Sequence, residues 1–281
     1  MKKNKSITIG TVIFYMIPVI AICAAVIFGY LYYKDFREYK EAEDEYANIN
    51  DNYIAIIPDR EDGKGGEEQD EITKTPEYFP LLDIDFDSLK SINSKLACVL
   101  YIPAVDITYP VAYSEDNIDY LHKTFEGKYN FAGCIFYDYL SDRGFTGRNT
   151  FIFGHNMKNG SMFGKLKKLG SEAGLAASNP YFYIYTDGQI RKYEIFSYYR
   201  TVENSDTYMD VPDDETYDTY VKFCQRYSQF KEFPDDIDFT ERPGLVTLST
   251  CSGRSGGNER FVVHGALVAM KNPIHKTSLK K

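Results

Sequence analysis

Cys251 is the residue of this sequence that is best placed to act as a nucleophile. It ends the strand-forming run LVTLSTC and is followed directly by the turn residues SGRSGG. A cysteine nucleophile needs partial exposure, a partner that favours the thiolate, and a donor for the charge that develops on the attacked carbonyl. A strand that opens into a glycine-rich loop offers that exposure. The alternative interpretation is a small apolar residue in a core.

The other four cysteines stand in apolar surroundings. Cys98 and Cys134 lie within strand-like segments between apolar neighbours. Cys224 lies on the apolar face of a predicted helix, and Cys23 lies in an uncharged N-terminal stretch. Such positions are typical of buried, unreactive cysteines. Their spacing indicates neither a disulfide framework nor a zinc site, so we expect no metal.

His155 is the histidine whose position matches that of Cys251. The run NTFIFGHNMKNG carries it out of a strand, through a glycine, into a polar loop. The positions of His122, His264 and His275 are more typical of structural or solvated histidines. Two reactive residues at strand ends can face each other across the rim of a barrel, so His155 could lie opposite Cys251.

Arg260 is the candidate for the stabilising positive charge. It begins the strand that follows the Cys251 loop, and a hairpin would return it beside the cysteine. Its guanidinium keeps its charge at working pH. Arg254, inside the loop, is the alternative, and a third interpretation is that Cys251, His155 and Arg260 are unrelated in space.

Short apolar or alternating segments must position these residues. Eight of them, separated by turn residues, are about the number that closes a small barrel: 97–103, 106–113, 132–139, 149–155, 181–187, 191–200, 244–251 and 260–270. Between the sixth and seventh, residues 211–234 carry apolar side chains at helical spacing and predict a helix. The sequence SLKSIN after Asp87 predicts a short second helix. The expected fold is therefore mostly β.

Residues 7–33 contain no charge and are long enough to span a bilayer as a helix. Lysines precede this stretch, whereas mixed charges follow it, so we expect a single-pass membrane protein with residues 1–6 in the cytoplasm and the rest outside. A cleaved signal peptide is the alternative. The net charge of −9 argues against a nucleic-acid partner.

The remaining chain divides into two predicted parts. Residues 34–75 predict a juxtamembrane helix and an acidic, glycine-bearing linker that has too few apolar residues to fold alone. Residues 76–281 predict one catalytic domain.

Several ordered motifs resemble the sortases, cysteine transpeptidases of Gram-positive bacterial surfaces. TLSTC followed nine positions later by arginine, together with NTFIFGHNMKNGSMF, is similar to class B. DITYPV, FEGKYNFAGCIFYDY and RFVVHGAL match in the same order, so the resemblance covers about residues 80 to 270. One departure is VLYIPAV, with Ala104 at a common glycine position and no tryptophan in the chain.

The resemblance implies a fold and a set of site residues. The fold is an eight-stranded barrel with N-terminal helices and a long helix between strands six and seven. Cys251 becomes the nucleophile, His155 the general acid and base, and Arg260 the stabiliser of the oxyanion and of the bound peptide. Three further positions look similar to residues that line the peptide groove, namely Ser249, Tyr208 and Met209.

The implied reaction is acyl transfer without a metal or organic cofactor. A sorting signal on a surface protein is cleaved through a thioester, and the acyl group passes to an amine of a cell-wall precursor. The alternatives are a sortase that polymerises pilins through a pilin lysine, a cysteine peptidase that releases the acyl group to water, and a binding module without catalytic activity.

Overall fold

The computed structural model describes residues 9–57, 78–157, 159–230, 237–251 and 257–272, with the backbone alone at Thr11 and Cys251. The chain forms two compact units, Met1–Glu41 and Ala42–Lys281. The predicted cytoplasmic segment 1–6 and the predicted acidic linker lie outside the described residues.

Helix α1 (Ile9–Tyr53) contains the described part of the uncharged stretch, residues 9–33, and continues beyond it. It is long and apolar enough to cross a membrane, by length and composition, and its most apolar window is fully exposed to the surroundings. An exposed apolar helix of this length has no protein core to bury it, which is the pattern expected of a membrane span. The predicted orientation of the N-terminus stays a prediction.

The second unit contains a closed barrel in which the strands follow the order β10-β8-β7-β3-β4-β5-β6-β9. Its strands are β3 (Leu96–Ile102), β4 (Ile107–Tyr113), β5 (Phe136–Tyr137), β6 (Asn149–Gly154), β7 (Tyr181–Thr186), β8 (Gln189–Val202), β9 (Leu245–Cys251) and β10 (Glu259–Lys271). All eight predicted strands are therefore confirmed. A separate antiparallel pair, β1 (Ile54–Ile57) with β2 (Leu81–Ile84), adds two strands that the sequence pattern did not predict.

Helices cover the barrel at several points. They are α2 (Phe86–Ile92), α3 (Lys168–Ser171), α4 (Leu175–Ser178) and α5 (Asp214–Tyr227). Helix α5 joins β8 to β9, the sixth and seventh strands of the barrel, as predicted. A capping box of Asp213 and Thr216 satisfies its first backbone N–H groups. Its buried face carries Tyr217, Tyr220, Val221 and Cys224 and packs on Phe196, Leu245 and Val262.

The last turns of α1 pack against the barrel. Ala42, Tyr46 and Ile49 follow one another at helical spacing and are buried. The Tyr46 hydroxyl accepts a hydrogen bond from the Ile135 backbone N–H at 3.0 Å. This part of α1 thus completes the fold beside the segment that leads into β5.

Replacing Tyr46 with phenylalanine should lower the free energy of unfolding by about 1 to 3 kcal/mol, because the buried Ile135 N–H loses its acceptor. Denaturant unfolding of the full chain in detergent micelles measures the change. Tyr129→Phe removes the same hydroxyl from a side chain that is 81% exposed and should change stability by less than about 0.5 kcal/mol. Equal effects of the two substitutions would contradict this packing.

Candidate active site

Three adjacent strands bring the candidate catalytic residues to one end of the barrel. Strands β6 and β9 are parallel, and Gly154 pairs with Thr250, so both strands end at the same edge. Strand β10 runs antiparallel to β9 on its other side, and Arg260 pairs with Cys251. The backbones of His155, Cys251 and Arg260 therefore lie side by side. The alternative cation, Arg254, lies outside the described residues.

Gly154 allows β6 to deliver His155 to this edge. A Cβ atom at position 154 would lie 2.4 Å from the Ile135 Cδ1 atom and 2.9 Å from the Phe163 ring. Both neighbours are buried, so a larger residue could not be accommodated without displacing the core. The glycine before His155 is thus required by close packing, and it fixes where the histidine leaves the strand.

The His155 ring is anchored through one nitrogen. Its Nε2 lies 3.0 Å from the Leu121 carbonyl oxygen. Since a carbonyl can only accept, Nε2 carries the proton in the neutral ring and Nδ1 is the basic nitrogen. Burial lowers the pKa of His155; the Leu121 carbonyl opposes this, and the charges of His122 and Arg260 lower it further. These surroundings favour the neutral imidazole of His155 at pH 7.

The Arg260 guanidinium is held by three acceptors. Its Nη2 lies 2.7 Å from a carboxylate oxygen of Glu203. Its Nη1 donates to the backbone carbonyls of Gly257 at 2.8 Å and of Glu259 at 2.9 Å. Glu203 carries no signal in the sequence pattern, because it directly follows β8 and only the pairing of β8 with β10 brings it near Arg260.

An open groove of about 250 Å³ lies over these strand ends. Its wall includes His155, Arg260, Glu203, Phe153, Tyr208 and Ser249. The Tyr208 and Ser249 hydroxyl oxygens lie 2.7 Å apart in a hydrogen bond. The Tyr208 ring also packs on Phe151 and Phe153, with centroids 5.7 and 6.4 Å away. The groove thus combines an aromatic wall with a charged end.

The third candidate for peptide binding is not a described residue of the groove wall. Met209 packs, with Tyr208, against the hydrophobic cluster beneath α5. Of the three groove candidates, the structure therefore places Tyr208 and Ser249 in the described groove wall and Met209 beneath α5.

The other cysteines of the second unit have inert surroundings. Cys98, Cys134 and Cys224 are fully buried. Burial raises the pKa of each thiol, so each stays protonated at neutral pH. Within the part of the chain that the structure describes, no group of three or more His, Cys, Asp or Glu residues could hold a metal ion.

Known proteins share this sequence and architecture. The Sortase domain family model matches residues 100–268. Sortase B of Listeria monocytogenes is 32% identical over 183 residues, which cover 64% of this chain and 72% of that protein. Sortase B of Staphylococcus aureus is 24% identical over 263 residues, covering 90% of this chain and 96% of that protein.

A solved structure also shows similarity to sortase B. Sortase B of Bacillus anthracis, in complex with AAEK1, aligns with a TM-score of 0.64 at 27% identity. The alignment covers 83% of this chain and 98% of that chain. Because the family model spans more than half of the sequence and these relatives are all sortase B proteins, the chain belongs to the sortase family, class B.

Proposed function

We propose that this sortase cleaves a C-terminal sorting signal and transfers the upstream protein to an amine of the cell wall, with Cys251 as nucleophile. The observation that carries the proposal is the strand order β6-β9-β10, which supports a single site made of His155, Cys251 and Arg260. Cys98, Cys134 and Cys224 are buried in inert surroundings, which favours the same assignment.

The proposed first step forms a thioester. The Cys251 thiol proton passes to Nδ1 of neutral His155, and the sulfur attacks the scissile carbonyl carbon. The carbonyl electron pair moves onto oxygen, where N–H groups of Arg260 stabilise the negative charge. The tetrahedral intermediate then collapses and expels the amine of the downstream peptide. That amine takes the proton from His155, and the acyl group remains on the sulfur.

The proposed second step transfers the acyl group to the acceptor. An amine of a cell-wall precursor attacks the thioester carbonyl, and Arg260 again stabilises the oxyanion. His155 takes the proton of the attacking amine and returns it to the departing Cys251 sulfur. The products are a new amide bond and the free enzyme, so the chain needs no energy source beyond the bond that it cleaves.

The proposed peptide site is the groove beside these residues. The hydrogen bond between Tyr208 and Ser249 and the aromatic contact with Phe153 support a wall that can receive both the apolar and the polar parts of an extended peptide. The position of Met209 supports a role in packing under α5.

We place the protein at the cell membrane through α1, with its N-terminus in the cytoplasm and residues 76–281 as an extracellular catalytic domain. The length and composition of α1 support the anchor. The lysines that precede the apolar stretch support the orientation. The partners are surface proteins that carry a sorting signal.

Cys251→Ala should abolish cleavage of an internally quenched peptide that contains an Asn-Pro-x-Thr sequence, because burial keeps the thiols of Cys98, Cys134 and Cys224 protonated. The assay uses the full chain in detergent micelles and a panel of peptides that differ in the residue at x. Cys98→Ala removes a buried sulfur and should keep at least half of the wild-type rate. Full activity of Cys251→Ala would overturn the catalytic assignment.

The acceptor determines which sortase reaction takes place. In the same assay, we expect a glycine-based amine to give a ligated product that mass spectrometry detects, because an amine competes with water for the thioester. A ligated product with a lysine side chain alone would indicate pilin polymerisation. Release of the free acid at every amine concentration would indicate a peptidase.

The pH dependence of kcat/KM should report the ionisation of the His155 ring. The neutral ring accepts the thiol proton, so activity requires a pH above the pKa of His155, and burial lowers that pKa. We therefore expect the acidic limb of the profile to have its midpoint below about 6.5, the ordinary histidine value. His155→Gln should be inactive across the profile. A midpoint above pH 7 would contradict the neutral resting state.

A further inference from the structure

Some N–H groups of the Arg260 guanidinium have acceptors among the described residues, and others are left for different acceptors. A guanidinium has five N–H donors. Both Nη1 hydrogens are directed to backbone carbonyls, and one Nη2 hydrogen is directed to Glu203. Among the contacts of the described residues, this leaves one Nη2 hydrogen and the Nε hydrogen for other acceptors. N–H donors on a cation suit an oxygen that carries developing negative charge.

Glu203 is itself fixed at the strand end. Its backbone N–H donates to the Asn258 carbonyl at 2.9 Å, which closes the end of β8 against the start of β10. Val202, the preceding residue, pairs with Glu259 in the β8 and β10 register. The Glu203 carboxylate therefore starts from a rigid backbone position and reaches across to Arg260 on the neighbouring strand.

The exposure of the pair determines what it can contribute. The Glu203 side chain is 49% exposed and that of Arg260 is 20% exposed. An ion pair so open to water adds little to folding stability. A donor aimed at a developing charge, by contrast, loses effect when its side chain is free to change rotamer. Loss of Glu203 should therefore change the reaction rate far more than the stability.

We propose that Glu203 is a positioning residue for Arg260. Its carboxylate and the carbonyls of Gly257 and Glu259 hold the guanidinium so that its remaining N–H groups are available to the substrate oxygen in the groove. Glu203 acts through Arg260, and both side chains line that groove. This inference rests on the proposed function, since it assigns the orientation of the group that stabilises the oxyanion.

The test compares Glu203→Ala, Arg260→Ala and the double variant in the full chain in detergent micelles. The readout is single-turnover thioester formation from the Asn-Pro-x-Thr peptide at high enzyme concentration, so that slow rates stay measurable. We expect Glu203→Ala to reduce kcat about tenfold, with KM changed less than about twofold and an unchanged melting temperature. In the Arg260→Ala background, the same substitution should change the rate less than about twofold.

Glu241→Ala is the control, because Glu241 is an exposed glutamate that is not among the described residues of the groove wall. It removes the same charge and should keep the wild-type rate. Glu203→Gln keeps an oxygen acceptor without the charge and should give an intermediate rate.

Three outcomes would overturn the proposal: a wild-type rate for Glu203→Ala, an equal loss with and without Arg260, or an equal loss in Glu241→Ala. Activity in Cys251→Ala would instead show that the proposed function fails. The two failures are therefore distinguishable.

Discussion

The pairing of β9 between β6 and β10 is the constraint on which the rest of the site depends. A parallel neighbour on one side makes two strands end together, and an antiparallel neighbour on the other side begins where they end. His155, Cys251 and Arg260 come from segments separated by up to about a hundred residues in the sequence, and this pairing alone brings their backbones together. The closed barrel protects the arrangement, because no strand of it has a free edge.

Electrostatics at the site follow from the different partners of His155 and Arg260. His155 is half-buried and has a carbonyl acceptor but no described carboxylate partner; burial lowers its pKa and favours the neutral form. Arg260 lies at the groove with a carboxylate beside it and retains its charge. One group can thus exchange a proton near neutral pH while the other supplies a fixed charge, which is the division of roles that two-step acyl transfer requires.

Local pattern was enough to predict the strands and α5. The segments that became strands have apolar or alternating residues and end at turn residues, and the helix between β8 and β9 repeats its apolar side chains at helical spacing. His155 and Cys251 could be singled out because each leaves a strand through glycine or into a glycine-rich loop. Such features depend on neighbours in the sequence.

Features that depend on distant pairing could not be predicted in this way. The contact of Tyr46 with Ile135 joins residues 89 positions apart, and that of Glu203 with Arg260 joins residues 57 apart. Strands β1 and β2 are short, and the residues between them in the sequence have no strand pattern, so nothing local indicated that the two would pair. Tyr208 and Met209 both pack against the cluster beneath α5, but of the two only Tyr208 is among the described residues that line the groove, a difference that depends on tertiary packing.

The central claim is that Cys251 forms the acyl-enzyme, and mass spectrometry of the trapped intermediate tests it most directly. The full chain in detergent micelles, mixed with the Asn-Pro-x-Thr peptide without an amine and quenched in acid, should gain the mass of the upstream peptide fragment. Peptide mapping should place that mass on Cys251, and hydroxylamine should remove it. An adduct on another cysteine, or peptide cleavage without any adduct on Cys251 under these conditions, would contradict the account.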